Sequence, residues 1–271
     1  MSKIKVLLAI PMLTPGYEFV KALLNFQAEV LQSGRYELGI STTYRQPTFL
    51  VQESFAQQAM ATGCDYLLMM DDDIWNPSLD FLDKLVSADK DVIGGVFFAS
   101  ADPGNLCARR RIDRKRDLVR LATVESHDVF SMYPVPEDEW HGPQKVDLVS
   151  LGMCLIKTSI FRKLKQPWFS HDLTKQFTDS VFCDNCSRNK IEVYAHFDVW
   201  LNHRGITKET MPSWVQIYKM RGDNWRPVVK MTEKDIVTHI NVVKSRVRVA
   251  QKEYEEHKAH NVKFYGKEEA R

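Results

Sequence analysis

Residues 65–73 read Asp65-Tyr66-Leu67-Leu68-Met69-Met70-Asp71-Asp72-Asp73, an apolar run that ends in three consecutive carboxylates. A strand buried on both faces shows no polar alternation, and Tyr66 to Met70 fits that pattern. In open α/β sheets, ligands bind outside the carboxyl ends of the strands. Three adjacent acids at such an end repel one another and need a compensating positive charge. A divalent cation carrying a phosphorylated ligand meets that need. The plainer alternative is a polar turn capping the helix after Trp75-Asn76-Pro77, which accounts for one aspartate more readily than for three.

Outward from this junction, strands and helices alternate. Lys5 to Ile10 is an apolar strand ended by Pro11, and Phe19, Val20, Leu23, Leu24, Ala28 and Leu31 recur at helical spacing until Ser33-Gly34. Tyr36 to Ser41 alternates as a second strand, and Val51, Phe55, Ala59 and Met60 mark a helix stopped by Gly63. After the acids come a short helix (Leu79, Leu82, Leu85, Val86) and the strand Asp91 to Phe98. Such repetition with short connections predicts a parallel sheet with right-handed crossovers, a nucleotide-binding architecture. No Gly-x-Gly-x-x-Gly follows the first strand and no Gly-Lys-Ser/Thr occurs, so a dinucleotide site and a P-loop both fit poorly.

Residues 99–145 carry Pro, Gly and charge with little periodicity, and read as a long, partly mobile insertion. Order returns at Val146 to Ile156, a strand pair or bulged strand around Gly152. A helix follows near Thr158, then the segment Phe177 to Cys183, the strand Ile191 to Ala195, and Leu201-Asn202-His203-Arg204-Gly205.

With 271 residues the chain is long enough for one large α/β domain with appendages, and a net charge of +2 does not make it a general polyanion binder. No stretch reaches the roughly 18 apolar residues of a membrane span. The N-terminal apolar run is too short for a signal peptide and lacks its cleavage site. Five irregularly spaced cysteines suit a reducing compartment, so a cytoplasmic location is expected.

The order of these pieces resembles the GT-A glycosyltransferases, particularly soluble relatives of glycosyltransferase family 2. The residues that carry the resemblance are Ile10-Pro11, Asp71-Asp72-Asp73 with Asn76-Pro77, Ser150-Leu151-Gly152-Met153, Asp179 with Phe182-Cys183, and His203-Arg204-Gly205. It spans about residues 4–206. It implies an α/β, Rossmann-like, mostly parallel sheet with flanking helices, to which the residues themselves add a basic insertion and a C-terminal helical extension over 207–271. Thr178 stands where the family usually has Glu, and Val51-Gln52 where it often has Arg-Asn.

The resemblance also implies a chemistry. Moving a sugar from a nucleoside diphosphate builds negative charge on the departing phosphate, which Mn²⁺ or Mg²⁺ neutralises. By resemblance, Asp73 is the main metal ligand, Asp71 shares the ion or faces the ribose, and His203 adds a third position. An imidazole among carboxylates favours Mn²⁺. A structural, hydrogen-bonded histidine is the alternative reading of His203. Asp179 matches the family's general base in inverting enzymes, and a helix N-cap is its alternative. Nucleoside contacts are expected from Pro11, Thr14, Tyr44 and Arg45, with Asp72, Gly152 and Met153 completing the donor site. A UDP-sugar is the donor implied.

Three further features bear on acceptors and partners. Cys183-x-x-Cys186 lacks the partner spacing of a zinc finger and reads as buried thiols. Arg109 to Arg120 gathers seven cations against Asp113 and Asp117, with Phe130, Tyr133 and Trp140 nearby. That suits a solvated loop or a nucleic-acid contact. The C-terminal segment opens with Thr232-x-x-Asp235, and Ile236, Ile240, Val243, Val247, Ala250 and Tyr254 make a coiled-coil-like seam. It fits packing on its own domain or a homodimer, and its other face is basic. The acceptor is then a saccharide or a hydroxylated base in DNA. A nucleotidyltransferase is the rival enzyme and a non-catalytic nucleic-acid binder the rival of another class. Pro11-Met12-Leu13-Thr14 lacks the Gly-rich, basic loop expected of the former.

Overall fold

A computed structural model of the protein describes residues 2–99, 106–111, 132–170 and 178–204. The chain divides into two compact units, residues 1–111 with 134–225 and residues 112–133 with 226–271. The first contains nearly all the described residues. The predicted C-terminal helix and Arg114 to Arg120 lie outside the described residues, as does Phe130.

The first unit is built on a seven-stranded sheet. Its strands are β1 (Ile4–Met12), β2 (Tyr36–Tyr44), β3 (Tyr66–Met70), β4 (Val92–Val96), β7 (Pro143–Val146), β8 (Met153–Lys157) and β9 (Val193–Trp200). They lie in the order β2-β1-β3-β8-β4-β9-β7. The short strands β5 (Arg109–Arg111) and β6 (Met132–Pro134) do not belong to this sheet. Helices α1 (Tyr17–Ser33), α2 (Thr48–Ala61), α3 (Leu79–Ser87) and α4 (Thr178–Arg188) complete the described framework. Leu67 to Met70, Val92 to Val96 and Met153 to Ile156 are buried throughout, as their unbroken apolar sequences require.

A mostly parallel sheet holds only in part. β1–β2, β1–β3 and β4–β9 pair parallel, whereas β3–β8, β4–β8 and β7–β9 pair antiparallel. Five strands therefore run one way and β7 and β8 the other, which makes the sheet mixed. The reversed β8 is wedged between β3 and β4, so its beginning lies beside their carboxyl ends. Close packing there depends on Gly94, where an added Cβ would stand 2.6 Å from Val149 Cγ2.

Several boundaries differ from expectation for physical reasons. β1 runs through Pro11 to Met12, because its pairing with β3 stops at Ala9 and the imino nitrogen of Pro11 owes that neighbour no hydrogen bond. Part of the expected insertion is core: Leu106, Ala108 and Val135 are fully buried, and β7 joins the main sheet. Thr158 begins a 3-10 turn to Arg162 rather than an α-helix. Gly34 closes α1 as expected, in the left-handed region at φ 66°. No helix among the described residues is long and apolar enough to cross a membrane.

Candidate functional site

β3 delivers its three aspartates to three different neighbours. The Asp71 backbone N–H donates to Gly152 O at 2.9 Å, tying the strand end to the turn that precedes β8. Asp72 Oδ2 accepts from the backbone N–H groups of Leu13 and Thr14, at 2.7 and 2.9 Å, and so fixes the loop after β1. Asp73 Oδ2 accepts from Arg204 Nε at 2.5 Å and lies 3.3 Å from His203 Nε2. None of the three caps the next helix, because Ser78 does: its hydroxyl accepts from Phe81 N. The plainer alternative for the acidic triplet is thereby removed.

The exit of β9 is braced against this tip. Asn76 Nδ2 donates to Trp200 O, the Asn202 N–H donates to Asn76 Oδ1, and the Trp75 N–H donates to Asn202 O. Ile74 bridges His203, and the Arg204 N–H donates to Asp73 O at 3.0 Å. His203 is only 8% exposed and its ring lies 4.9 Å from that of Phe97. Its Nδ1 has no hydrogen-bond partner, and neither has the buried Asp73 Oδ1.

Asp179 comes from the first turn of α4 and reaches across to another element, which sets it apart from a helix cap. Its Oδ2 accepts from Ser150 Oγ at 2.9 Å and from Leu151 N at 3.3 Å. Ser150 Oγ in turn accepts from Gly152 N. Gly152 has no room for a side chain, since a Cβ there would stand 3.0 Å from Asp71 Oδ2 and 2.9 Å from Phe97 Cζ. Asp71 and Asp179 thus meet around the Ser150–Gly152 turn.

Electrostatics follow from this crowding. Burial, then the charges of Asp179, Asp73 and Asp72, push the Asp71 carboxyl up to about 8, and Arg204 only partly opposes them. Burial also raises Asp179, against the hydrogen bonds from Ser150 and Leu151. Asp73 goes the other way: burial works against it, but His203 and Arg204 hold it below the ordinary carboxylate range.

The donor chemistry fits a divalent cation shared with a phosphorylated ligand. Asp71 is governed by burial and like charge rather than by hydrogen bonds, and Asp73 keeps one buried oxygen without a partner. Among the described residues no group of three or more His, Cys, Asp or Glu side chains is placed to hold a metal ion, so the expected set of Asp71, Asp73 and His203 does not stand assembled as one. Mg²⁺-type sites commonly use one or two carboxylates, with substrate phosphates and water supplying the rest.

The remaining predicted positions group beside Asp72. Met12 pairs with Tyr44 at the end of β2, and the Arg45 N–H donates to Met12 O at 2.9 Å. Tyr44 is exposed, with the Arg45 guanidinium 5.0 Å from its ring centre. Pro11 and Thr14 flank the loop that Asp72 holds, and Met153 is buried opposite Met70. Asp72 Oδ2 positions the Leu13–Thr14 backbone. Ser150, Arg204 and the Asn76–Asn202 brace carry no individual role in the sequence pattern. Ser150 opens the Ser150–Met153 motif and Arg204 lies between His203 and Gly205.

Arg109 to Arg111 serve structure. Arg110 donates to Glu139 at 2.5 Å and to Lys145 O, Arg111 pairs with Asp184, and Arg109 Nε donates to Leu106 O. Of the seven cations read as a solvated loop or a nucleic-acid contact, these three are engaged by partners within the protein. Cys183 and Cys186 are buried free thiols, pushed up by burial.

No known family and no curated protein matches the chain. Among solved structures, A197 from STIV is 17% identical, with 77% of this chain and 97% of that one covered and a TM-score of 0.46. The 4-diphosphocytidyl-2C-methyl-D-erythritol synthase from Anaerococcus prevotii is 9% identical, with 89% and 99% covered and a TM-score of 0.39. Neither similarity is close enough to transfer an activity to this chain.

Proposed function

We propose that the protein is a metal-dependent glycosyltransferase of GT-A type that moves a sugar from a nucleotide sugar, a UDP-sugar being the first to test, to an acceptor hydroxyl. The observation that carries this reading is the meeting of two half-buried carboxyls whose ionised form is disfavoured, Asp71 and Asp179, around Gly152 at the carboxyl end of β3. Such groups are costly for stability and cluster where chemistry needs them.

Each residue takes a role its surroundings support. Asp71 and Asp73 would hold the donor's diphosphate through Mn²⁺ or Mg²⁺, with His203 Nε2 3.3 Å from Asp73 Oδ2. When bound, that ion neutralises the charge growing on the departing phosphate. The loop of Leu13 and Thr14, pinned by Asp72, and the Tyr44–Arg45 pair form the wall for the nucleoside. Asp179 accepts the proton of the attacking hydroxyl as the bond to the sugar forms, and Ser150 keeps its carboxylate aimed. Burial raises its basicity, which favours that transfer near neutral pH.

The test is thermal shift and turnover together. UDP with Mn²⁺ is expected to raise the melting temperature, Asp73→Ala to abolish the rise, and a panel of UDP-sugars to yield free UDP. No shift with any nucleoside diphosphate and no UDP release sinks the reading. Release of pyrophosphate from a nucleoside triphosphate would instead identify a nucleotidyltransferase.

A further inference from the structure

Building on the donor-site reading above, we propose that Arg204 is a donor-binding residue: it occupies Asp73 before a divalent cation arrives and is handed to the donor's diphosphate when one does. Arg204 Nε stands 2.5 Å from Asp73 Oδ2, the same oxygen that faces His203 Nε2 at 3.3 Å. The other oxygen, Oδ1, is buried and unpartnered, as is Nδ1 of the 8% exposed His203. The carboxylate is therefore half engaged by a charge the chain supplies itself.

The two partners differ in exposure. The Asp73 side chain is 19% exposed, whereas that of Arg204 is 70% exposed and can turn away without losing buried contacts. The Arg204 backbone is pinned at φ 52° by its N–H bond to Asp73 O, a left-handed conformation uncommon for a residue with a side chain. The pair is exposed only on its arginine side, and a left-handed backbone held at that residue is a local strain of the kind found at functional sites. The guanidinium charge also bears on Asp71, so it is felt by both carboxylates of the expected cation site.

A divalent ion and a guanidinium cannot share Asp73 without strong repulsion. Binding of the ion drives Arg204 off, and the nearest new anion is the diphosphate that the ion carries. A planar fork of N–H donors suits phosphate oxygens. The exchange keeps the acidic tip from standing uncompensated in the free protein and adds a grip on the donor.

The experiment measures binding of Mn²⁺ alone, by titration calorimetry or electron spin resonance, and of UDP at saturating Mn²⁺. It compares the intact chain with Arg204→Gly and Arg204→Met. Glycine accepts the left-handed backbone, so that variant does not endanger folding. Mn²⁺ alone should bind about 3- to 10-fold more tightly to both variants, and UDP about 10-fold more weakly. Opposite signs for the two ligands support the proposal. Equal weakening of both, or no change in either, overturns it and leaves the donor site standing. If the unmodified chain binds neither Mn²⁺ nor UDP, the donor-site reading fails first and this inference with it.

Discussion

At Asp71, burial and three neighbouring carboxylates push the acid up to about 8, far above the roughly 3.9 of an unfolded chain. Between those values the native state holds more protons than the unfolded state, so stability must fall as pH rises from about 4 through about 8. Asp71→Asn should flatten that decline and stabilise the metal-free protein at pH 8 by about 1–2 kcal/mol, a melting shift of about 2–8 °C. Melts in chelator across that range check it; a steeper decline in the variant contradicts the assignment. Asp179→Asn should keep Mn²⁺-dependent UDP binding and lose about 10²–10⁴-fold in turnover, as read by UDP release. Gly152→Ala forces a methyl against Asp71 Oδ2 and Phe97, and should cost about 1–3 kcal/mol in denaturant melts. The acids of the tip and Asp179 were legible because a buried strand announces its end and an ordered set of motifs marks the rest. Ser150 and Arg204 were not, because their partners lie 29 and 131 residues away and spacing carries no sign of that contact.

Among the elements, the loop after β1 depends on an oxygen that belongs to the end of β3. Asp72→Ala removes the acceptor for two backbone N–H groups and should loosen residues 13–14 without disturbing the buried strands. UDP affinity at saturating Mn²⁺ should then fall about 10-fold, with the melting point changed by a few degrees at most. Unaltered affinity would detach that loop from the nucleoside site. α1, α2 and α3 were readable from their 3.6-residue periodicity, and β3 and β4 from unbroken apolar runs. β7 was hidden: Pro143-Gln144-Lys145-Val146 buries only its last residue and owes its strand state to pairing with β9. The direction of β8 was equally invisible, since a buried apolar strand reads the same in either orientation.

Across the whole unit, the arginines Arg110 and Arg111 tie β5 to Glu139 and Asp184. Replacing both by alanine should lower the melting temperature by about 2–4 °C for each 1 kcal/mol lost and leave any duplex DNA affinity nearly unchanged. A selective loss of salt-sensitive DNA binding at constant stability would return them to the surface role that their sequence suggested.

The wedged strand β8 has a consequence for how the molecule reaches its native state. During synthesis β1 to β4 emerge long before residues 153–157, so β3 and β4 wait with bare backbone edges until a segment more than 50 residues downstream inserts between them. Closing so distant a contact is slow, and bare edges invite pairing with other chains. A fragment ending at Ala99 should therefore aggregate rather than fold, and the nascent N-terminal half should depend on shielding until its keystone strand is made.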